Sequence, residues 1–354
     1  MRARRLARSS LAPRSTGLVD VVRAVGGIHA QVQASAELQL AARVEGLTQQ
    51  DVRDALWRDR TLAKAWTLRG TLHLHAADEL ALWFAARRAV AGERRGLDAW
   101  PDPKGVVHPP VTPDEQAELE AATWDAFSGE PLLREQIVDE VVRRVGGKHE
   151  GRLRSGFAFF HGEVCQGPPQ GNKITLVRPD QWLGGWRELD EQEALREVVR
   201  RFLHAYGPSR PQEFREWFGA DVPFDVVDVE EVDVEGHSAF VLAGDTDFPE
   251  AQKSLRLLPE YDVYVMGFRE REQLVPTRVR EQVAAHGRGR YEGPAGVRFV
   301  VADGVAAGLW ERRKRAKRLE LTVAPAGRVN RTELRREAER FGAFLGVETV
   351  LRVE

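Results

Sequence analysis

Cysteine, net charge and long apolar runs are what this chain lacks. Its 354 residues include one cysteine, Cys165. That excludes an intramolecular disulfide framework and any multi-cysteine zinc site, and it fits a reducing cytoplasm. The formal net charge is −2, so no overall basicity announces a nucleic-acid partner. Arg2, Arg4, Arg5 and Arg8 open the chain as an export signal would, but no apolar segment follows, because Asp20 and Arg23 interrupt the next one. No run is long enough to span a membrane. The Asp and Glu runs contain no convincing metal site, which argues against a metal-dependent nuclease. No heptad or dimerisation helix is visible, so a monomer is expected rather than a dimer reading two half-sites.

What is present is segregated charge on an ordinary globular composition, with 42% hydrophobic residues. Basic clusters fall at Arg2–Arg14, Arg87–Arg95, Arg143–Arg154, Arg278–Arg290 and Arg312–Arg318, and acidic runs at Asp225–Glu235 and Asp245–Glu250. Such a distribution hides a basic groove inside a neutral total, and a solvated helix face produces the same pattern.

The stretch Gly26-Gly27-Ile28-His29-Ala30-Gln31-Val32-Gln33-Ala34-Ser35 draws attention first. His29, Gln31 and Gln33 alternate just after a Gly-Gly break. In an extended segment, residues two apart point to the same side. A His and a Gln held side by side can orient one water, and the His can take its proton. The same spacing also suits a polar loop between two helices.

In chain order, residues 1–16 read as a basic arm, with Arg2, Arg4 and Arg5 free to reach a groove. A helix follows from Leu18 to Val25, stopped by Gly26-Gly27. Ala34–Val44 is a second helix. Thr48 and Asp51 open a third as a capping box. Two alternating runs, Leu62–Trp66 and Thr71–His75, flank Arg69-Gly70 as a hairpin would. Three helices and a hairpin make a winged helix. Ala77–Val90 is a further helix, and 92–111 a loop.

The arrangement recurs. Thr112-Pro113-Asp114-Glu115 starts a helix to Phe127, followed by helices over Leu133–Val145 and Arg152–Val164 and a wing around Gly167–Val177. A third, smaller unit has helices at Glu191–Tyr206 and Pro211–Phe218 and a hairpin about Glu235-Gly236. After residue 255 short strands are expected at Arg256–Leu258, Tyr261–Met266, Val297–Ala302, Val305–Trp310 and Leu319–Val323, with Asp303-Gly304 as a hairpin turn. A helix at Thr332–Phe344 and a strand at Glu348–Val353 close the chain. The expected fold is α+β, with three tandem winged helices (1–111, 112–190, 191–250) and a C-terminal small β-barrel (251–354).

Trp66-Thr67-Leu68-Arg69-Gly70-Thr71-Leu72-His73-Leu74, Pro259-Glu260-Tyr261-Asp262 and Asp303-Gly304-Val305-Ala306-Ala307-Gly308-Leu309-Trp310 together resemble, in the right order, the motifs of the AlkZ-like winged-helix DNA glycosylases. This family is associated with azinomycin resistance and related to YcaQ. The resemblance runs from about residue 15 to 350. It implies tandem winged helices around a DNA channel and a catalytic Gln-apolar-Gln element. In frame with Gly27-Ile28 that element is His29 and Gln31, with His in place of the first Gln; by letters alone it is Gln31 and Gln33. The first frame keeps the family spacing to Ala36-Glu37-Leu38.

An N7-alkylated purine is cationic and leaves without protonation. The implied enzyme then needs to stabilise an oxocarbenium-like sugar and deliver water. No cofactor and no metal are implied, since His73 and His75 lack a third ligand nearby. The implied partner is duplex DNA carrying bulky alkylpurine lesions, crosslinks included. Trp66, Arg69, Thr71 and His73 on the first wing are the expected channel residues, with Thr71, His73 and His75 sharing one strand face. Arg152, Arg154, Arg312 and Arg313 are the expected phosphate contacts. Asp262 could serve as a catalytic group by residue type, or cap a turn. The competing expectation is a non-catalytic winged-helix protein that regulates or shields DNA.

Overall fold

The computed structural model describes residues 1–93, 95–155, 163–267, 271–286, 296–315 and 317–354. The first unit comprises α1 (Arg2–Arg8), α2 (Leu18–Ala24), β1 (Ile28–His29), α3 (Gln33–Ala41), α4 (Gln49–Trp57), β2 (Leu62–Trp66), β3 (Leu72–Ala76) and α5 (Leu80–Ala89). Its punctuation follows the sequence. Gly26 and Gly27 adopt φ of +70° and +109°, and a Cβ on Gly27 would meet the His75 ring at 2.5 Å, so only glycine lets the chain turn there against a packed side chain. Thr48 and Asp51 cap α4 reciprocally, as the spacing predicts.

The second unit carries β4 (Trp100–Pro101), β5 (Val107–His108), α6 (Pro113–Asp125), β6 (Leu132–Leu133), α7 (Arg134–Val145), α8 (Glu150–Ser155), β7 (Cys165–Gln170), β8 (Lys173–Val177) and α9 (Pro179–Trp182). The Thr112–Glu115 capping box opens α6. The residues expected to be loop at 92–111 form a small hairpin, β4 on β5. Of the expected Arg152–Val164 helix, 156–162 lie outside the described residues, as do Arg288 and Arg290 of the fourth basic cluster. The third unit is α10 (Glu191–Tyr206), α11 (Pro211–Phe218) and the hairpin β9 (Val229–Val234) with β10 (His237–Leu242).

The last unit holds β11 (Leu255–Leu258), α12 (Val263–Met266), α13 (Arg271–Leu274), α14 (Thr277–His286), β12 (Phe299–Ala302), β13 (Val305–Lys314), β14 (Arg318–Pro325), α15 (Arg331–Leu345) and β15 (Glu348–Val353). Asp303 and Gly304, at φ +50° and +81°, turn the β12–β13 hairpin as expected.

Several further expectations need correction. First, the wings are not separate. β2 meets β7 at Ala65–Cys165, and the two wings fuse into one six-stranded sheet of order β1-β3-β2-β7-β8-β6. Second, the C-terminal strands do not close into a barrel among the described residues. They form an open sheet of order β11-β12-β13-β14-β15, antiparallel except for the parallel β14–β15 pair. Third, Val263–Met266 is a helical turn rather than a strand, because the Asp262 carboxylate accepts from Tyr264 N at 2.9 Å and caps it.

The N-terminal residues are likewise not an arm. Arg2–Arg8 is helical; Arg4 and Arg5 are buried. Arg4 pairs with Asp245 at 2.8 Å, and Arg5 points to the Pro208 and Gly267 carbonyls. Leu6 and Leu11 contribute to a core shared by α2, α3, α4 and the C-terminal sheet, so first and last units pack as one body. A second core joins α5 to α10 and α11.

The contact that ties α3 to the C-terminal unit is a fully buried ion pair. Arg43 donates to both Asp262 oxygens at 2.7 and 2.8 Å, and both side chains are 0% exposed. Arg43→Met leaves a buried carboxylate unpaired and is expected to cost about 3–5 kcal/mol in urea unfolding. The double variant Arg43→Met/Asp262→Leu is expected to recover a measurable part of that loss, since neither charge then stays behind.

Candidate active site

β1 is two residues long and adds to the free edge of the first wing. Ile28 pairs with Leu74 and His29 with His73, and Ala30 N donates to Leu72 O at 2.7 Å. Cross-strand partners share a face, so His29 and His73 face the same side. Their rings meet edge to face with centroids 5.3 Å apart. The row continues: His73 to His75 at 6.1 Å, His75 to Trp83 at 4.4 Å, and Tyr261 on the other side of His29 at 5.4 Å. Tyr261 has φ +61°, a left-handed conformation that turns the chain just before the Asp262 cap.

All three histidines are driven toward the neutral form. Burial, then Arg69 and Lys64, push His29 down to about 4. Burial and the charge of Arg201 push His75 down to about 3. His73 is lowered well below its ordinary value, first by burial and then by its neighbours His75, Arg69 and His29. His73 Nδ1 lies 3.0 Å from the Thr71 carbonyl and must donate to it, which fixes the tautomer. His75 Nε2 lies 2.8 Å from Thr67 Oγ1. His29 Nδ1 has no such partner; it is buried without a hydrogen bond among the described residues.

After His29 the chain bends and α3 begins. Gln31 is exposed, and its carbonyl oxygen accepts from Leu72 N at 3.4 Å. Gln33 is held at both ends: its oxygen accepts from Lys64 Nζ at 2.9 Å, and its nitrogen donates to Glu37 at 3.3 Å. Glu37 is itself buried and accepts from Gln49 at 2.6 Å. Lys64 is buried, and desolvation pushes it down to about 8. Gln39 donates to His29 O at 3.0 Å and accepts from Val263 N at 3.2 Å, so one amide joins the His29 backbone to the C-terminal unit. Ser35 Oγ donates to the Glu260 carbonyl.

The remaining expected residues scatter. Arg69 (φ +53°) donates to Trp217 O at 2.5 Å and Glu216 O at 3.2 Å, tying the wing tip to α11. Thr71 donates to Leu68 O and closes the same turn. Trp66 is half-buried against the second unit's core. Arg152 is the correction here. It is buried, and its guanidinium serves the Asp98 and Pro109 carbonyls at 2.7 and 3.0 Å, so it holds the 97–111 segment in place instead of facing a phosphate. Arg154 pairs with Asp139 and Glu150. Arg312 lies 3.6 Å from Glu260, and Arg313 is exposed beside it on β13. Asp262 is the helix cap and buried ion-pair partner. His73 and His75 gather no further metal-type ligand, since among the described residues no three His, Cys, Asp or Glu side chains do so.

Lys64 and Gln39 touch the candidate site but lie outside the quoted motifs, while Glu37 and Tyr261 stand in the Ala36-Glu37-Leu38 and Pro259-Glu260-Tyr261-Asp262 segments with no site role expected of them. The signal for Lys64 was present: a lone cation in the apolar run Leu62-Ala63-Lys64-Ala65-Trp66. Glu37 sits four residues after Gln33, the spacing of one helix face.

A sequence model of the AlkZ-like DNA glycosylases matches residues 22–344. The interstrand DNA cross-link repair glycosylase of Streptomyces sahachiroi is 31% identical over 336 residues, 87% of this chain and 85% of that protein. The solved structure of Streptomyces sahachiroi DNA glycosylase AlkZ superposes with a TM-score of 0.78 at 27% identity, covering 100% of this chain and 98% of the other. The chain belongs to the AlkZ-like DNA glycosylase family. No helix among the described residues is long and apolar enough to cross a membrane.

The histidine row makes stability depend on pH in a defined direction. Each folded-state value lies below the unfolded value of about 6.5, so unfolding takes up protons. Stability is therefore full above about pH 6.5 and declines as pH falls toward 4. The expected slope is about 1.4 kcal/mol per pH unit for each histidine. Urea unfolding between pH 7.5 and 5 checks this: His75→Gln should lower the slope by about one proton's worth relative to wild type.

Proposed function

We propose that this chain is a monofunctional, metal-independent DNA glycosylase. It hydrolyses the N-glycosidic bond of bulky N7-alkylated purines in duplex DNA, crosslinked purines included, and acts as a monomer. The observation that carries the proposal is His29: a neutral imidazole with a buried, unpartnered Nδ1, two residues before the exposed Gln31 whose amide is anchored to the wing.

The chemistry follows from charge. The alkylated base carries its own positive charge and departs without an acid. What remains is an oxocarbenium-like sugar and the need for one correctly placed water. A neutral imidazole can accept a hydrogen bond from that water and draw its proton as the C–O bond forms, while the Gln31 amide orients it. A base with so low a proton affinity suffices because the water attacks a carbon already cationic. Gln33, engaged by Lys64 and Glu37, is better suited to holding the first turn of α3 than to holding water, and this supports His29 and Gln31 as the pair. No lysine nucleophile is required, so the product is an abasic site. Arg154, Arg312 and Arg313 are assigned to phosphates, and the first wing, with Trp66, Arg69, Thr71 and His73, to the channel wall.

The test uses duplex DNA with one N7-alkylguanine, followed by mild alkali to cleave at abasic sites. His29→Ala and Gln31→Ala are expected to slow base release by about 10²–10³-fold, and Gln33→Ala by less than either. Activity should rise with pH through about 4, as His29 becomes neutral, and stay level from about 5.5 to 7.5 with no inflection near 6.5. Tight binding without release from any adduct would leave a DNA-binding protein and overturn the enzyme.

A further inference from the structure

Tyr261 stands beside the proposed reaction centre on a strained backbone. Its φ of +61° lies in the left-handed region, where a bulky L-residue is an outlier. Such a conformation persists only where the surroundings fix it, and here both chain neighbours are pinned. The Glu260 carboxylate accepts from Arg298 Nε at 2.7 Å and lies 3.6 Å from Arg312. The Glu260 carbonyl accepts from Ser35 Oγ. On the other side Arg43 holds Asp262 at 2.7 and 2.8 Å, and Val263 N donates to Gln39 at 3.2 Å. Ser35 and Gln39 belong to α3, and Arg43 follows its last turn. The turn that bears Tyr261 therefore hangs from the same segment that grips the His29 carbonyl through Gln39.

What the turn delivers is a ring against His29. The two centroids are 5.4 Å apart with planes tilted by 39°, while His73 of β3 meets His29 edge-on at 5.3 Å. His73 and His75 each have a hydrogen-bond partner that orients the imidazole, the Thr71 carbonyl and the Thr67 hydroxyl. His29 Nδ1 has none among the described residues. The plane of the His29 ring is therefore set by packing between two other rings. His73 is fully enclosed, whereas Tyr261 is half-buried and forms the side toward solvent. The charges that bear on His29 are Arg69 at the wing tip and Lys64 of β2. From α3 it meets the neutral Gln39 amide, and Glu37 is turned to Gln33 and Gln49 instead.

We propose that Tyr261 is a positioning residue for base release: its ring closes one side of His29, fixes the plane in which the imidazole meets the attacking water, and keeps other water away. The assignment deepens the glycosylase proposal above and rests on it. An imidazole free to rotate presents its lone pair to the attacking water only part of the time. One open to bulk water also gains a proton at mildly acidic pH and can then accept nothing. Tyr261 acts through His29 and needs no contact of its own with DNA.

Three variants separate the ring from the backbone that carries it. Tyr261→Phe keeps the ring and Tyr261→Leu removes it. Tyr261→Gly removes it while relieving the left-handed backbone, and is expected to stay folded with Tm within about 3 °C of wild type. Single-turnover base release is followed on duplex DNA with one N7-alkylguanine. Tyr261→Leu and Tyr261→Gly should be slower by roughly tenfold or more at saturating protein, with Kd for the duplex changed by less than about twofold. Tyr261→Phe should recover most of the rate. NMR titration of carbon-13-labelled histidine should show His29 rising in Tyr261→Gly from about 4 toward its ordinary value of about 6.5. Base release by that variant should then fall as pH drops from 7.5 to about 5.5, where wild type stays level. Wild-type rate and pH profile in Tyr261→Gly overturn the assignment, and so does a Tyr261→Phe protein as slow as Tyr261→Gly. No release by wild type from any adduct condemns the glycosylase reading instead. The His29 titration then judges Tyr261 alone: a rise in Tyr261→Gly upholds its hold on the ring, and an unmoved titration overturns it.

Discussion

One amide and one ion pair hold the proposed site to the rest of the molecule. Gln39 reaches from α3 to the His29 backbone on one side and to Val263 on the other. One turn later Arg43 closes on Asp262 with no access to water. Because β1 has only two residues, its own ladder cannot fix His29; the clamp through α3 does so. The same Asp262 caps α12, so the geometry of a strand near the N-terminus depends on a turn more than two hundred residues away. Desolvating two charges is costly, and the pair is repaid by geometry and by the Gln39 carbonyl that Arg43 also meets.

Around that clamp the site is built to keep its bases uncharged. Aromatic and imidazole rings adjoin one another from Tyr261 to Trp83, and the surrounding cations, Arg69 and Lys64, oppose a further proton on His29. A cationic substrate and a cationic transition state would both suffer from a protonated histidine at their centre. The burial that lowers His29 and the electrostatics of the proposed reaction therefore point in the same direction.

Much of the architecture was legible because it is local. The capping boxes at Thr48 and Thr112, the Gly26-Gly27 stop and the Asp303-Gly304 turn each depend on a few adjacent residues, and α10 and α11 begin and end where the pattern places them. What escaped is non-local. Nothing in Leu62–Trp66 or Cys165–Gln170 signals that the two wings will join. Arg4 and Arg5 read as an arm free to reach a groove, and Arg152 as a phosphate contact, because their carbonyl and carboxylate partners are distant in sequence. Tyr261–Met266 alternates like a strand, and only the Asp262 cap, held by Arg43, makes it a helix. Within the site, His29 and the two glutamines stood out by spacing, while Lys64 and Gln39 gained meaning only from what they touch.

The junction at Ala65 and Cys165 also bears on how the protein is made. The two residues stand 100 positions apart in the chain. At about 5–20 residues per second, a ribosome needs roughly 5–20 s to reach the second after the first. Throughout that interval β2 has emerged with one side of its hydrogen-bonding edge bare, a template for pairing with another nascent chain. Fusing the wings gives the finished protein a rigid sheet, and gives its synthesis an interval of exposure that independently closed units would not have.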